Sequence, residues 1–164
     1  MKILCVVLIA FMLGGCGAQQ AWETVDDPWV EVVAPCREVE MKLPAEAAIP
    51  VLHNPDEGKL YVCDGYTVTV QTFEGGDLDA TMRQLTGFSR ENLTCMQTQE
   101  AGVKEYACVW SSVGEGGDYV ARAVILDDGN YHYAVSVMAD FAAAGELAQT
   151  WQGILNSVTL TGTD

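Results

Sequence analysis

The sequence predicts an α+β domain: an antiparallel sheet of about six to eight strands, built from hairpins, with a short mid-chain helix and an amphipathic C-terminal helix packed on it. Three observations lead to this fold class. Three pairs of strand-like segments each meet at a tight-turn dipeptide, a short segment lies between good helix caps, and an apolar stripe with helical spacing lies near the C-terminus.

The hairpins are identified by their turns. The turns are Asp64-Gly65, Ala101-Gly102 and Asp128-Gly129, and they join residues 59–63 to 66–73, 94–100 to 103–110, and 119–126 to 131–138. Asp-Gly between alternating segments is a strong signal for a two-residue hairpin loop. Residues 29–34 and 37–43 are also predicted to be extended, and residues 44–58, which contain three prolines, to form a long loop.

The two helices are predicted from caps and periodicity. Residues 78–86 follow Asp77, a good N-cap, and precede Gly87, where a left-handed residue is preferred. The C-terminal helix is predicted to begin at Asp140 as cap. Its apolar positions have the spacing of an amphipathic helix that packs on a sheet, and they are Ala144, Leu147, Ala148, Trp151, Ile154, Leu155 and Val158.

The amino terminus predicts export. After Lys2, residues 3–13 form an uninterrupted run of eleven apolar residues, which is shorter than the roughly 20 needed to span a bilayer. The run ends in Leu13, Gly14, Gly15 and Cys16, which resembles the lipobox of bacterial lipoproteins. The resemblance implies a diacylglyceryl group on the Cys16 thiol, cleavage before Cys16 and, in some bacteria, N-acylation. The alternative is an ordinary secretory signal that is cleaved nearby.

The predicted organisation is therefore a signal peptide in residues 1–15, a lipidated tether in residues 16–28 and one domain in residues 29–164. Without the signal, the chain has seven Lys and Arg against 23 Asp and Glu, a formal net charge of −16. Such a surface repels phosphate backbones and anionic headgroups, which argues against nucleic acid as a partner. The lipid would hold the protein on the extracytoplasmic face of a cell membrane or outer membrane.

Four cysteines remain for the exported domain, and an even number favours two disulfides. If Ala101-Gly102 is the loop, Cys95 faces Cys108 at a non-hydrogen-bonded position, where a bridge can form. Cys36 with Cys63 follows by elimination. A four-thiolate zinc site is the alternative, although the sequence contains no C-x-x-C motif.

The order of elements and the ending "WQGILNSVTL" resemble small bacterial lipoproteins of the PsbP-like α/β/α type. The resemblance covers residues 38–160 in element order and residues 151–160 in sequence. It carries over no binding or catalytic motif, and no cofactor is implied.

A candidate binding surface is predicted from strand alternation. Tyr106 and Trp110 share one face of the cysteine hairpin, while Met96, Ala107 and Val109 are predicted to face the core. Tyr131, Tyr133 and Arg122 share one face of the last hairpin. If the two faces adjoin, these rings and the guanidinium suit a protein or glycan contact. The alternative is that the rings are covered and complete a second core layer.

The two histidines, His53 and His132, allow a second hypothesis. With Asp128-Gly129 as the loop, His132 is predicted to face Ile125 and to lie too far from Ser136 for a nucleophile and base pair. The sequence thus favours a non-enzymatic binding or assembly module over an extracytoplasmic hydrolase, with a purely structural envelope protein as a third option.

Overall fold

A computed structural model describes residues 36–47, 49–54, 58–113 and 117–162. The predicted signal peptide, Cys16, the tether and the predicted extended segment 29–34 lie outside the described residues.

The described chain is an α+β fold, as the sequence predicts. Its strands are β1 (Glu38–Glu40), β2 (Leu52–Asn54), β3 (Gly58–Val62), β4 (Thr67–Glu74), β5 (Thr94–Glu100), β6 (Val103–Ser112), β7 (Tyr119–Asp127), β8 (Tyr131–Asp140) and β9 (Thr159–Thr161). Its helices are α1 (Leu78–Thr86) and α2 (Ala144–Leu155). Seven strands form an antiparallel sheet in the order β2-β3-β4-β8-β7-β6-β5, and β1 pairs with β9 separately.

The two helices cover opposite faces of the large sheet. Trp151 of α2 packs in a core cluster with Val124 and Val135, whereas Met82 of α1 packs with Ile125 and Ala134. Because successive residues of a strand point to opposite faces, these two clusters lie on opposite sides of β7 and β8. The sides are named the α2 face and the α1 face below.

Helix α1 matches the prediction at both ends. The Asp77 carboxylate accepts hydrogen bonds from the amides of Asp79 and Ala80, which satisfies donors that the first turn leaves free. Gly87 ends the helix with φ 80°, and its N–H donates to the Arg83 carbonyl. Only a residue without Cβ adopts this conformation cheaply.

Two predictions about the remaining elements are wrong. Asp140 does not cap the C-terminal helix, because it is the last residue of β8, and the helix begins at Ala144 without a side-chain cap. The predicted loop 44–58 contains a short 3₁₀ helix, Ala45–Ala47, and β2, which pairs with β3.

The hairpin at Asp128-Gly129 has a different register from the predicted one. The loop is Gly129-Asn130, since the Asp128 amide donates to the Tyr131 carbonyl and Gly129 has φ 95°. A glycine with positive φ at the first loop position is typical of a type II′ turn. The two-residue shift keeps every side chain on its predicted face but places His132 opposite Asp127 instead of Ile125.

Candidate functional site

The predicted aromatic surface does not exist as one surface. Arg122 pairs with Val109, and Trp110 pairs with Ala121, so Arg122 lies on the α2 face while Trp110 and Tyr106 lie on the α1 face. Tyr131 and Tyr133 share the α2 face with Arg122, as predicted, but Tyr133 is fully buried. The sheet therefore separates the five residues into two sets.

The core side of the cysteine hairpin is the opposite of the predicted one. Tyr106 and Cys108 are buried against α1, whereas Met96 is 68% exposed and Val109 is 42% exposed on the α2 face. Helix α2 packs over the middle of the sheet and leaves this outer part uncovered. Both faces of the hairpin carry apolar residues, so alternation alone could not show which face is buried.

Tyr133 has a structural role instead of a binding one. Its hydroxyl donates to the Asp128 carboxylate at 3.0 Å and accepts the Arg37 amide at 2.9 Å. Burial alone would raise the pKa of Asp128, but hydrogen bonds from the amides of Tyr131 and Asn130 and from the Tyr133 hydroxyl outweigh it and lower that pKa. Through Tyr133, these bonds connect the turn at Asp128 to Arg37, near the start of the described chain.

A buried polar cluster surrounds His132 on the α1 face. The His132 Nδ1 lies 2.7 Å from the Thr81 hydroxyl oxygen on α1, and its Nε2 lies 4.0 Å from a carboxylate oxygen of Asp127. The Asp127 carboxylate accepts the Gly129 amide at 2.8 Å and pairs with Lys104 at 3.5 Å. The cluster thus joins α1 to strands β6, β7 and β8.

The burial of this cluster limits what it can do chemically. Thr81 is 4% exposed and His132 is 1% exposed. The Thr81 hydroxyl, which would have to act as the nucleophile, is therefore enclosed between α1 and the sheet. His53, the other histidine, is exposed in β2 and pairs with Lys59. Sequence reasoning missed Thr81, Asp127 and Lys104 for three reasons. Asp127 faces His132 only in the shifted hairpin register, Lys104 meets Asp127 through the pairing of β6 with β7, and Thr81 reaches His132 through the packing of α1. The one available signal was that Gly129 also suits the first position of a type II′ turn.

Cys95 and Cys108 are directly opposite in the strand register, as the turn predicts. Their sulfur atoms lie 2.7 Å apart, and the structure contains them as free thiols. Burial and the neighbouring Cys95 thiol raise the pKa of the Cys108 thiol. The disulfide between them stays a prediction.

Cys36 and Cys63 are not brought together. Cys36 precedes Arg37, which contacts Tyr133, and Tyr133 pairs with Thr72 in β4. Cys63 lies beyond the opposite end of β4, where its amide bonds the Tyr66 carbonyl. Six residues of strand separate the two places, roughly 20 Å at the strand rise, whereas a bridge requires Cα atoms within about 7 Å. Both are free thiols.

A different surface is left open at β5, the last strand of the sheet. Within the described ranges β5 pairs only with β6, and six of its seven residues are exposed. We name this surface the β5 edge: the outer backbone of β5 together with the exposed side chains of Met96 and Val109. Its neutral sequence "TCMQTQ" before Glu100 was the signal that could have identified it, since edge strands usually carry charges.

A groove adjoins the β5 edge near the turn of the cysteine hairpin. It has a volume of about 370 Å³, and its lining includes Thr98, Glu100, Glu105, Leu126, Arg37 and Leu160. The Arg37 guanidinium donates to the Leu160 carbonyl at 3.3 Å. The groove therefore presents two exposed carboxylates beside the open strand.

Two further properties concern the described residues alone. None of their helices has the length and apolar character needed to cross a bilayer. No three or more of their His, Cys, Asp and Glu side chains are grouped closely enough to hold a metal ion.

Comparison with known proteins gives a likeness in fold. No protein-family profile matches the chain, and no curated protein matches it in sequence. Among solved structures, the chain is similar to LpqN, which is described as involved in cell envelope biogenesis of Mycobacterium tuberculosis. The TM-score is 0.50 at 12% sequence identity, and the match covers 84% of this chain and 88% of that one. At this identity the match shows that the two chains share a fold.

Proposed function

We propose that the protein is an extracytoplasmic lipoprotein of the cell envelope, anchored through lipid on Cys16, and that it acts as a non-enzymatic binding or assembly module. The observation that carries the proposal is the sequence Leu13-Gly14-Gly15-Cys16 after an apolar run. The fold likeness to a protein involved in cell envelope biogenesis supports the same location. Residues 16–28 would serve as the tether between lipid and domain.

The charge of the chain supports attachment by lipid instead of by surface electrostatics. A formal net charge of −16 without the signal repels anionic headgroups, so the folded surface would not hold the protein on a membrane. Two or more acyl chains bind a bilayer stably, whereas one chain binds it only reversibly. The lipid on Cys16 would therefore be what holds the protein on the membrane.

A binding role is supported by the burial of the side chains that resemble catalytic machinery and by the exposure of the β5 edge. Thr81, His132 and Asp127 form the set that most resembles catalytic machinery, but α1 covers it. A nucleophile must reach its substrate, but Thr81 lies on α1 itself, so moving α1 off the sheet to admit a substrate would separate the Thr81 hydroxyl from His132. The β5 edge, in contrast, is not covered by any other element in the part of the chain that the structure describes.

The anchor is tested by expressing the chain in a bacterium and measuring its intact mass together with labelling by radioactive palmitate. We expect a species that begins at Cys16 and carries acyl mass, found in the membrane fraction. The matched variant Cys16→Ser should lose the label and leave the membrane fraction. A product that keeps residues 1–15, or one without acyl mass on Cys16, would contradict the proposal.

A further inference from the structure

From the open edge of β5 we infer that the domain binds a protein partner by strand addition, and that the added segment is extended and carries Lys or Arg. The inference rests on the proposed binding role and specifies its surface and the chemistry of its partner. It depends on three properties of the β5 edge: free backbone groups, the absence of protection against pairing, and local negative charge.

The backbone of β5 offers a regular row of hydrogen-bonding groups. Glu100 and Val103 flank the two-residue loop and therefore form a hydrogen-bonded pair, after which bonded and non-bonded pairs alternate. The amides and carbonyls of Met96 and Thr98 thus point to β6, and those of Cys95, Gln97 and Gln99 point outward. Three donors and three acceptors, spaced about 7 Å apart along the strand, match the backbone of any extended chain.

Residues 94–99 themselves carry none of the usual protections against strand pairing. Natural sheet edges carry Lys, Pro or bulges, or are covered by another element. Residues 94–99 contain no charged residue and no proline, and β5 pairs with β6 in a continuous register without a bulge. Met96 and Val109 add exposed apolar surface on the α2 face, where alternate side chains of an added strand would lie.

Local charge specifies the partner. Glu100 and Glu105 line the groove at the end of the β5 edge, and the one basic side chain in that lining, Arg37, already donates to the Leu160 carbonyl. A Lys or Arg of the added strand would meet both carboxylates there. A second copy of this chain would instead bring its own net charge of −16, which opposes association of two copies.

The test uses the full chain as the cell makes it, purified in mild detergent, and a capped heptapeptide of alternating Lys and Val. Hydrogen exchange is followed at single amides. Peptide binding should slow exchange roughly tenfold or more at Gln97 and Gln99. Met96 and Thr98 serve as controls within the same strand, because their amides already bond to β6 and should change little.

Two altered peptides separate backbone pairing from charge without changing the protein. A peptide that is N-methylated at every residue keeps its charge but has no amide donor on either edge, and it should not bind. A peptide with Glu in place of Lys should also fail to bind, because its carboxylates would be repelled by Glu100 and Glu105. On the protein side, Glu100→Gln and Glu105→Gln should each weaken binding about 1.5- to 5-fold at low salt, and Gln97→Pro should abolish it while the Met96 and Thr98 amides stay protected.

Four results would overturn the inference: no binding of the Lys-Val peptide, equal binding of its N-methylated form, dimerisation through β5 in its absence, or protection of Gln97 and Gln99 that disappears when residues 29–34 are deleted. The last two would assign the edge to a second copy or to the chain's own N-terminal segment. The anchor is judged separately, since an unlipidated chain that binds the peptide contradicts only the proposed anchor.

Discussion

The contact between Thr81 and His132 predicts a large stability loss from a very small change in shape. Thr81→Val replaces the hydroxyl by a methyl group and leaves β-branching and volume almost unchanged. The His132 Nδ1, buried in a residue that is 1% exposed, then loses its partner at 2.7 Å. An unsatisfied buried polar group costs about 1–3 kcal/mol, so we expect the free energy of unfolding to fall by about 2 kcal/mol.

The assay is urea unfolding of the purified chain, followed by tryptophan fluorescence, with thermal unfolding as a second measurement. For a domain of this size, a loss of about 2 kcal/mol lowers the Tm by roughly 4–8 °C. Thr81→Ser keeps the hydroxyl and should lose less than about 1 kcal/mol. Thr150→Val makes the same chemical change at an exposed site of α2 and should stay within about 0.5 kcal/mol of the parent. If Thr81→Val costs no more than Thr150→Val, the cluster does not hold α1 on the sheet.

Three further predictions concern the turns and the thiols. Ala101 has φ 48°, a left-handed conformation that costs alanine about 1 kcal/mol and that asparagine tolerates better. Ala101→Asn should therefore raise the Tm, and an unchanged or lower Tm would contradict this reading. Peptide mapping without reductant should find Cys95 joined to Cys108 in exported protein, and reduction should cost about 3 kcal/mol; native-state labelling of both thiols would argue against the bridge. Because the folded-state pKa of Asp128 is lowered, its stabilising effect is complete above about pH 4 and is lost as the pH falls through the folded pKa. Asp128→Ala should remove that part of the acid dependence, and an acid unfolding curve of unchanged shape would refute the assignment.

Local signals were sufficient for elements whose geometry is fixed by neighbouring residues. Asp77 and Gly87 set both ends of α1, and the Ala101-Gly102 loop set the register that places Cys95 opposite Cys108. The predicted register of the last hairpin was wrong because its sequence fits two different turn types. Gly129 fits the second position of one turn type and the first position of another, and the choice between them decides what faces His132.

The candidate site was harder to predict because it depends on packing between distant parts of the chain. Alternation shows that Tyr106 and Met96 lie on opposite faces, but only the position of α1 shows that the tyrosine is the buried one. Likewise, the openness of β5 follows from the order of seven strands. No segment of the sequence contains that order by itself, since it depends on which hairpins pair with each other.

The hydrogen bonds of Arg37 have a mechanical consequence. The described chain enters the fold at β8, the middle strand of the large sheet, where the Arg37 amide meets the Tyr133 hydroxyl. A pulling force applied to the chain upstream of Arg37 would therefore be transmitted first to β8, through Tyr133, and to β9, through Leu160 and the β1–β9 pair. Since β5 lies three strands away from β8 in the sheet, such a force would not act directly on the β5 edge.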